Sequence, residues 1–346
     1  MNTQACVLHA QGDLRIEDFP LARMGDTQVR VHIGAGGICG SDLHYFLNGG
    51  FGTVRIKEPM VLGHEVAGVV EAVGSKVTRV KPGDRIALNP SRPCGQCKFC
   101  KAGDYQHCLD MWFYGSAMRM PHSQGALRKQ IVVDEFQCEP VGDAVTLGEA
   151  ACAEPLAVAL HAIHRAGPLS GKRVLVTGTG SIGALVVAAA RYAGALEIVA
   201  TDLHDTTLEI ARKMGASRTL NVSHEPGLKA GEFTAEKGYF DVAIECTGAA
   251  TVLKDVIPAL RPLGTLVQVG MAGDVPIPIT ALVGKEIRLQ GAFRFHGEYA
   301  LAAQLIKDGR IDVKPIITAS FPLERAVEAF NTAADRASQI KVQITL

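Results

Sequence analysis

A short glycine pattern constrains the fold of this chain more than any other feature of its sequence. Gly178, Gly180 and Gly183 follow directly after the apolar run 174–176, and a second apolar stretch begins at Ile182. Asp202 lies 19 residues beyond the last of these glycines. Between a strand and a helix, with an acid about 20 residues further on, this pattern is typical of a dinucleotide-binding βαβ unit. The alternative is an ordinary glycine-rich turn.

The hydrophobic pattern changes near residue 150 and predicts two kinds of domain. Before it, short strands separated by glycine and proline are predicted at 29–33, 66–73, 85–88 and 128–133. After a helix at 154–166, predicted strands (173–177, 197–201, 240–245, 265–269, 287–290) follow one another with helices at 182–193 and 206–214 between the first of them. Such alternation predicts a parallel sheet flanked by helices. A helix at 298–307 and an amphipathic segment at 323–330 come last.

Four of the nine cysteines form a compact set: Cys94, Cys97, Cys100 and Cys108. Four thiolates complete a tetrahedral zinc site, which would be structural, and a metal would order the aperiodic segment from about 89 to 110. Unpaired buried thiols are one alternative. An iron–sulfur cluster is another, but the common bacterial run ends in x3-Cys-Pro, whereas here the last gap is seven residues and Leu109 follows.

Other potential metal ligands are dispersed along the chain: Cys39 in GGICGSDLH, His64 and Glu65 in LGHEVAG, and Glu154 in AEPLAV. Each alone is a weak indication, because a lone cysteine is commonly a small buried apolar residue. Ser41 and His44 follow Cys39 and could pass a proton from a bound alcohol to solvent. Helix capping for Ser41 and a surface position for His44 are the alternatives.

Composition excludes several classes of function. Lys plus Arg and Asp plus Glu are both 35 in 346 residues, and aromatic residues are 5%, which argues against a nucleic-acid-binding surface. The longest apolar stretch, 182–190, has nine residues, whereas a membrane helix needs about 20. With no secretory signal and no disulfide-rich pattern, we expect a cytoplasmic protein without a nucleic-acid or membrane partner.

Together these motifs resemble the zinc-dependent medium-chain alcohol/polyol dehydrogenase family. The resemblance covers the whole chain, from GGICGSDLHY through GHE, the four-cysteine segment, EPLAVALHA and GTGSIG to VGM and FR. It implies a Rossmann doubly wound parallel sheet (156–295) inserted in a GroES-like β-rich catalytic domain (1–155 and 296–346). It also implies an enzyme that transfers hydride from a secondary alcohol to a nicotinamide dinucleotide, and a homo-oligomer, either a dimer or a tetramer.

The resemblance implies roles position by position. Cys39 and His64 match catalytic zinc ligands with Glu65 beside them, and Glu154 takes the place of the third ligand, as in the sorbitol dehydrogenase branch, where it binds zinc or holds the zinc-bound water. Ser41 would accept the hydroxyl proton and His44 would pass it to solvent. The matched cofactor positions are Gly178, Gly180, Ile182, Gly183, Asp202, Val269, Gly270, Met271 and Phe293, and the matched substrate positions are Tyr45 and Arg294.

The expected cofactors are two Zn²⁺ per chain, one catalytic and one structural, and NAD in preference to NADP. A carboxylate at Asp202 accepts hydrogen bonds from a ribose 2′-hydroxyl and repels a 2′-phosphate. A narrower resemblance, to the L-idonate-oxidising subgroup of the family, is carried by NPSRPCGQCKFC, FYGSAMRMPH and GAFRF. It implies oxidation of L-idonate to 5-keto-D-gluconate. A polyol dehydrogenase of sorbitol or xylitol type and a non-enzymatic nucleotide-binding protein on the same fold are the alternatives.

Overall fold

The chain divides into two compact units. The structure, a computed structural model, describes residues 1–224, 227–271 and 273–346. The first unit comprises Met1–Glu154, Tyr299–Arg310 and Ile317–Leu346, and the second comprises Pro155–Glu298 and Ile311–Ile316. Relative to the boundaries expected from sequence, residues 155, 296–298 and 311–316 belong to the second unit. Among the described residues, no helix is long and apolar enough to cross a membrane.

The regular elements follow one another in chain order. The strands are β1 (Asn2–Ala10), β2 (Asp13–Pro20), β3 (Gln28–Gly37), β4 (Gly50–Phe51), β5 (Val54–Arg55), β6 (Met60–Val61), β7 (Glu65–Val73), β8 (Arg85–Leu88), β9 (Ser91–Arg92), β10 (Trp112–Phe113), β11 (Gln130–Asp134), β12 (Cys138–Pro140), β13 (Arg173–Thr177), β14 (Glu197–Asp202), β15 (Arg218–Asn221), β16 (Phe240–Glu245), β17 (Leu260–Gln268), β18 (Arg288–Gly291), β19 (Ile317–Pro322) and β20 (Lys341–Thr345).

The α-helices are α1 (Gly40–Asn48), α2 (Lys98–Ala102), α3 (Leu147–Ala151), α4 (Ala153–Ala166), α5 (Ser181–Tyr192), α6 (Asp205–Met214), α7 (Gly231–Thr234), α8 (Leu253–Ala259), α9 (Ile279–Gly284), α10 (Glu298–Lys307) and α11 (Ala326–Ala333). Short 3₁₀ turns connect several of them.

The first unit is built on a sheet with the strand order β12-β8-β7-β3-β20-β19, with β11 also paired to β3. Along β3, Val29, Val31 and Ile33 alternate into the core and are fully buried. The last strand, β20, pairs with β3 through residues 343–345 opposite 35–37, so residues near the end of the chain extend a sheet whose other strands lie mostly before residue 141. This β-rich unit confirms the GroES-like expectation.

The second unit is a six-stranded parallel sheet with the order β15-β14-β13-β16-β17-β18. Counted along the chain this is 3-2-1-4-5-6, the Rossmann order, which confirms the predicted fold class. The turn from β13 to α5 requires glycine at two positions, 178 and 183. Gly178 has φ +79, and a Cβ on Gly183 would lie 1.7 Å from the carbonyl oxygen of Gly178. A larger residue at Gly183 would therefore push the helix away from the strand.

Within the second unit, two histidines of α4 share one carboxylate oxygen. The Nδ1 atoms of His161 and His164 each lie 2.9 Å from Oε1 of Glu298, and the His296 backbone N–H donates to Oε2 at 2.8 Å. Burial alone would raise the pKa of Glu298, but hydrogen bonds from His161, from the backbone and from His164 hold it well below its ordinary value. The cluster ties the start of α10 to α4.

We expect Glu298→Gln to destabilise the protein by about 1–3 kcal/mol near pH 7, because the partners of a buried carboxylate lose their acceptor. The pKa of Glu298 is lower in the folded state, so its contribution is fully present above the unfolded pKa, ordinarily near 4.5, and is lost progressively as the pH falls from there towards the much lower folded pKa. The difference between the urea midpoints of wild type and variant should therefore be constant from pH 7 to about pH 5 and shrink steadily from there to pH 3.5. A constant difference across the whole range would contradict the assignment.

Candidate functional site

The four clustered cysteines converge in the first unit. Their Sγ atoms all lie within 4.8 Å of one another, with Cys97 and Cys100 at 3.6 Å and Cys94 and Cys100 at 4.0 Å. All four are free thiols. The N–H groups of Cys94 and Asp110 point at Sγ of Cys108 from 3.2 and 3.4 Å. Backbone N–H groups of Leu109 and Cys100 lower the pKa of the Cys97 thiol to about 6.

This geometry fits a structural zinc ion. A tetrahedral site with Zn–S bonds of about 2.3 Å places its sulfur atoms about 3.8 Å apart, and the two sulfur–sulfur distances above bracket that value. The inward-pointing N–H groups favour thiolates, which are the form that binds metal. The segment 89–110 contains only the two-residue strand β9, the short helix α2 and one 3₁₀ turn (Tyr105–His107), so it has little regular structure to hold it together.

A second cluster joins three of the dispersed candidates. One ligand atom each from Cys39, His64 and Glu65 lies within 4.8 Å of the others. Cys39 is the N-cap of α1, whereas His64 and Glu65 stand at the start of β7. A Cβ on Gly37 would come within 2.2 Å of Oε2 of Glu65, so this glycine leaves the space that the carboxylate occupies. One thiol, one imidazole and one carboxylate are the donor set of a catalytic zinc site, which leaves a coordination position open.

Two charged residues that the sequence analysis missed surround this cluster. Asp42 is fully buried, accepts the N–H groups of Cys39 and Gly63, and lies 3.8 Å from Nδ1 of His64. Lys341, from β20, donates to both carboxylate oxygens of Glu65 at 2.8 and 2.6 Å. Asp42 was detectable as an acid three residues after a helix N-cap. No local signal marks Lys341, because its partner is 276 residues away.

Glu154 lies buried in the same unit but does not join the three-residue cluster. Burial raises the pKa of its carboxyl to about 8. The charges of Glu65 and Cys39 raise this pKa further, whereas His64 lowers it. By distance, the carboxylate that stands closest to Cys39 and His64 is Glu65. The role of Glu154 as a zinc ligand or as the holder of the zinc-bound water stays a prediction. Burial, followed by the charge of Glu65, also raises the pKa of the Cys39 thiol, to about 12, which favours its protonated form as long as no metal is bound. Zinc binding would release that proton.

The remaining predicted residues of the first unit lie on α1. Ser41 and His44 are half-buried and stand three residues apart, so their side chains are neighbours on one face of the helix. Tyr45 is only 1% exposed, belongs to the hydrophobic core, and its hydroxyl accepts the N–H of Ala117 at 3.1 Å. Its predicted contact with substrate stays a prediction.

The predicted cofactor residues lie at the carboxyl end of the parallel sheet. Asp202 closes β14, and its Oδ2 accepts the N–H of Thr179 at 2.7 Å, while Oδ1 accepts the N–H of Leu203 at 2.7 Å. Val269 and Gly270 follow β17, and both donate their N–H groups to the carbonyl of Glu245 at 2.9 Å. Met271, beyond them, is 69% exposed.

Two further predicted residues follow β18 in the same unit. Phe293 is half-buried, and the guanidinium carbon of Arg294 lies 5.1 Å from the centre of its ring. Arg294 has a φ of 54°, a left-handed conformation that is uncommon outside glycine. Such a backbone persists where the surroundings fix it, which is common at functional sites.

Comparison with known proteins identifies the family. Residues 25–143 match the alcohol dehydrogenase GroES-like domain, and residues 181–308 match the zinc-binding dehydrogenase domain. Over 345 residues, 99% of this chain and 99% of the relative, the sequence is 39% identical to the L-idonate 5-dehydrogenase (NAD(P)(+)) of Escherichia coli K12. The chain belongs to the zinc-dependent alcohol dehydrogenase family. It is therefore an oxidoreductase that acts on CH–OH groups with zinc and a nicotinamide dinucleotide.

Other members of the family match over similar lengths. The sorbitol dehydrogenase of Gallus gallus is 38% identical over 343 residues, 98% of this chain and 95% of the relative. The crystal structure of the E. coli L-idonate 5-dehydrogenase has a TM-score of 0.96 and covers 100% of this chain and 99% of its own. A zinc-binding dehydrogenase of Sinorhizobium meliloti 1021 bound to NADP has a TM-score of 0.90 at 28% identity, with 100% of both chains covered.

Proposed function

We propose that this dehydrogenase oxidises a secondary hydroxyl of a sugar acid, with L-idonate as the substrate and 5-keto-D-gluconate as the product. The observation that carries the proposal is the full-length similarity to the E. coli L-idonate 5-dehydrogenase, in both sequence and structure. The sorbitol dehydrogenases, at similar identity, support a neutral polyol as the second candidate.

The ligands of the catalytic zinc would be Cys39, His64 and Glu65, with Glu154 as a neighbouring carboxylate. When bound, zinc acts as a Lewis acid that makes an alcohol proton easier to remove. Ser41 Oγ would accept that proton from the bound substrate and His44, three residues along α1, would pass it to solvent. Burial and the charge of Arg336 lower the pKa of His44, which favours the neutral imidazole that can accept a proton.

The charges around this site bear on substrate choice. Cys39, Asp42, Glu65 and Glu154 are acidic, and Lys341 is already paired with Glu65. A substrate carboxylate therefore needs a cation of its own. Arg119 is a poor candidate, because it donates to Asp110 at 2.8 Å and lies over the ring of Trp112. We assign the role to Arg294, whose planar fork suits a carboxylate.

We expect kcat/KM for L-idonate to exceed that for sorbitol and xylitol by at least about tenfold, because a paired carboxylate contributes charge-assisted hydrogen bonds that a neutral polyol lacks. Initial rates over a panel of polyols and sugar acids measure this. Arg294→Met should lower the rate with L-idonate more than that with sorbitol, whereas the exposed Arg191→Met should change neither. A clear preference for a neutral polyol would contradict the substrate assignment and leave the family assignment intact.

We expect catalytic efficiency with NAD to exceed that with NADP by at least about tenfold near pH 8. Asp202 is fixed by four donors, the N–H and hydroxyl of Thr179 and the N–H groups of Leu203 and His204, so its charge cannot turn away from a 2′-phosphate. Residues 203–207 contain no lysine or arginine. Asp202→Ala should reduce the preference, whereas Asp205→Ala should not. Equal efficiency of the wild type with both cofactors would contradict this assignment.

We also propose that the protein forms a homo-oligomer. Strand β18 lies at the end of the strand order, and Leu289 on it is 42% exposed. Ile279 and Val283, on the preceding helix α9, are 59% and 65% exposed. An edge strand together with exposed apolar side chains on the helix before it favours pairing with a second copy of the chain.

A further inference from the structure

Beyond the residues expected to touch the cofactor, one buried acid in the second unit has no place in the mechanism above. Glu245 is the last residue of β16, the fourth strand of the parallel sheet in chain order, and is 1% exposed. Among the described residues, no cation forms an ion pair with it. An unpaired buried carboxylate is expensive unless hydrogen bonds replace the lost hydration, so its partners show what it is for.

Every partner of the Glu245 carboxylate is a neutral donor. Oε1 accepts the N–H of Thr247 at 2.7 Å as well as the hydroxyl of Thr247, and Oε2 accepts the N–H of Gly248 at 2.9 Å. Oε2 also accepts a hydrogen bond from Nε2 of Gln268 at 2.5 Å. The same Nε2 donates a second hydrogen bond to the carbonyl of Gly270 at 2.8 Å. A carboxylate accepts at both oxygens, so it satisfies all these donors at once.

Thr247 and Gly248 lie on the loop that follows β16. Gln268 is the last residue of β17 and links the carboxylate to the carbonyl of Gly270 on the loop that follows β17. The hydroxyl of Thr177, at the end of β13, is a longer contact to the carboxylate, at 3.4 Å.

Residues 246–249 form the loop after β16, and residues 269–271 form the loop after β17. The main chain of Glu245 joins them as well, because its carbonyl accepts the N–H groups of Val269 and Gly270, both at 2.9 Å. One residue thus holds both loops through its side chain and its backbone.

Both loops pack directly against glycines. A Cβ on Gly178, the first glycine of the glycine pattern, would lie 2.5 Å from Cγ2 of Thr247. A Cβ on Gly270 would lie 2.2 Å from the backbone nitrogen of Gly248. Because the backbones are this close, a small displacement of Thr247 or Gly248 would displace the glycine turn and the loop after β17.

We propose that Glu245 is a positioning residue of the dinucleotide site, which fixes the loop 246–249 against the glycine turn and against the loop 269–271. The inference rests on the proposed function, because it takes the turn at 178–183 as the place where the cofactor binds. Glu245 would not touch the cofactor. It would keep the two loops in the geometry that the cofactor requires, before the cofactor arrives.

The test compares Glu245→Gln with Glu197→Gln in the zinc-loaded enzyme. Glutamine has nearly the same shape, but one end of its amide is a donor, which would face the N–H groups of Thr247 and Gly248. Glu197 is a matched control at the opposite end of the same sheet, where it accepts the hydroxyl of Tyr239 at 2.6 Å. The readouts are the Kd for NADH by fluorescence titration, the melting temperature without NADH, and the KM values for NAD and for substrate.

We expect Glu245→Gln to raise the Kd for NADH and the KM for NAD by about tenfold while the substrate KM stays unchanged, and Glu197→Gln to change none of them. An unchanged Kd for NADH would overturn the inference. It would also be overturned if the Kd rose in both variants in proportion to their drop in melting temperature, because the rise would then reflect general destabilisation. If Glu245→Gln does not fold, Glu245→Asp keeps the charge and shortens the side chain. A raised Kd in that variant would support the inference, and an unchanged Kd would overturn it.

The same titration separates this inference from the proposed function. A wild-type enzyme that fails to bind NADH would contradict the proposed function and the inference together. If the wild type binds NADH and the folded Glu245 variants bind it equally well, the inference alone is contradicted.

Discussion

Replacing His64 with alanine should leave a folded protein that has lost roughly a thousandfold or more of its turnover, because a catalytic zinc contributes several kcal/mol to the reaction barrier. His64 is one of three side chains that meet at the candidate catalytic centre, and its removal leaves Cys39 and Glu65 as an incomplete donor set. Metal analysis should find two zinc ions per wild-type chain and one per variant chain.

The exposed His32 on β3 provides the control for this experiment. His32→Ala removes the same side chain from the same unit and should keep both zinc ions and full activity. Circular dichroism of both variants would show that the fold persists. Fully active wild-type enzyme with at most one zinc ion per chain would contradict the assignment of two metal centres.

The second large effect is expected at the four-cysteine cluster. Cys97→Ser should remove the other zinc ion and destabilise the segment 89–110 by several kcal/mol, because the binding free energy of a structural zinc ion is also folding free energy. Limited proteolysis should then cut within this segment, and the protein should aggregate on mild heating. Activity should fall as a consequence of unfolding, unlike in His64→Ala, where the fold remains.

Lys101→Ser is the matched control, because Lys101 is exposed on the short helix α2 between the cysteines and contributes no ligand. It should retain two zinc ions and the wild-type proteolysis pattern. A Cys97→Ser protein that keeps both zinc ions and resists proteolysis like the wild type would contradict a structural role for the cluster.

The parallel sheet could be predicted closely from sequence. Strands β13 and β16 and helix α10 have the predicted limits, because each is an apolar run or an amphipathic stretch bounded by turn residues or charges. The glycine pattern also located the turn into α5, since close packing of backbone on backbone excludes every other residue type there.

The first unit was harder to predict, because its strands depend on partners far away in the sequence. Strand β20 lies between β3 and β19 in the sheet. Nothing in its five residues indicates that it pairs with β3 or that Lys341 is buried. For the same reason the sequence did not show that Glu65, rather than Glu154, stands closest to Cys39 and His64. That arrangement depends on where two buried carboxylates sit in the folded unit, and on a lysine from β20.

The bond between Lys341 and Glu65 has a consequence for biosynthesis. A ribosome adding about 5–20 residues per second makes Lys341 roughly 15–60 s after Glu65, and 276 positions separate the two. During that interval Cys39, Asp42, Glu65 and Glu154 have all been made while Lys341 has not. The nascent chain therefore carries the acidic residues of the candidate catalytic centre without this lysine, and the ion pair between Lys341 and Glu65 can form only after β20 has been translated.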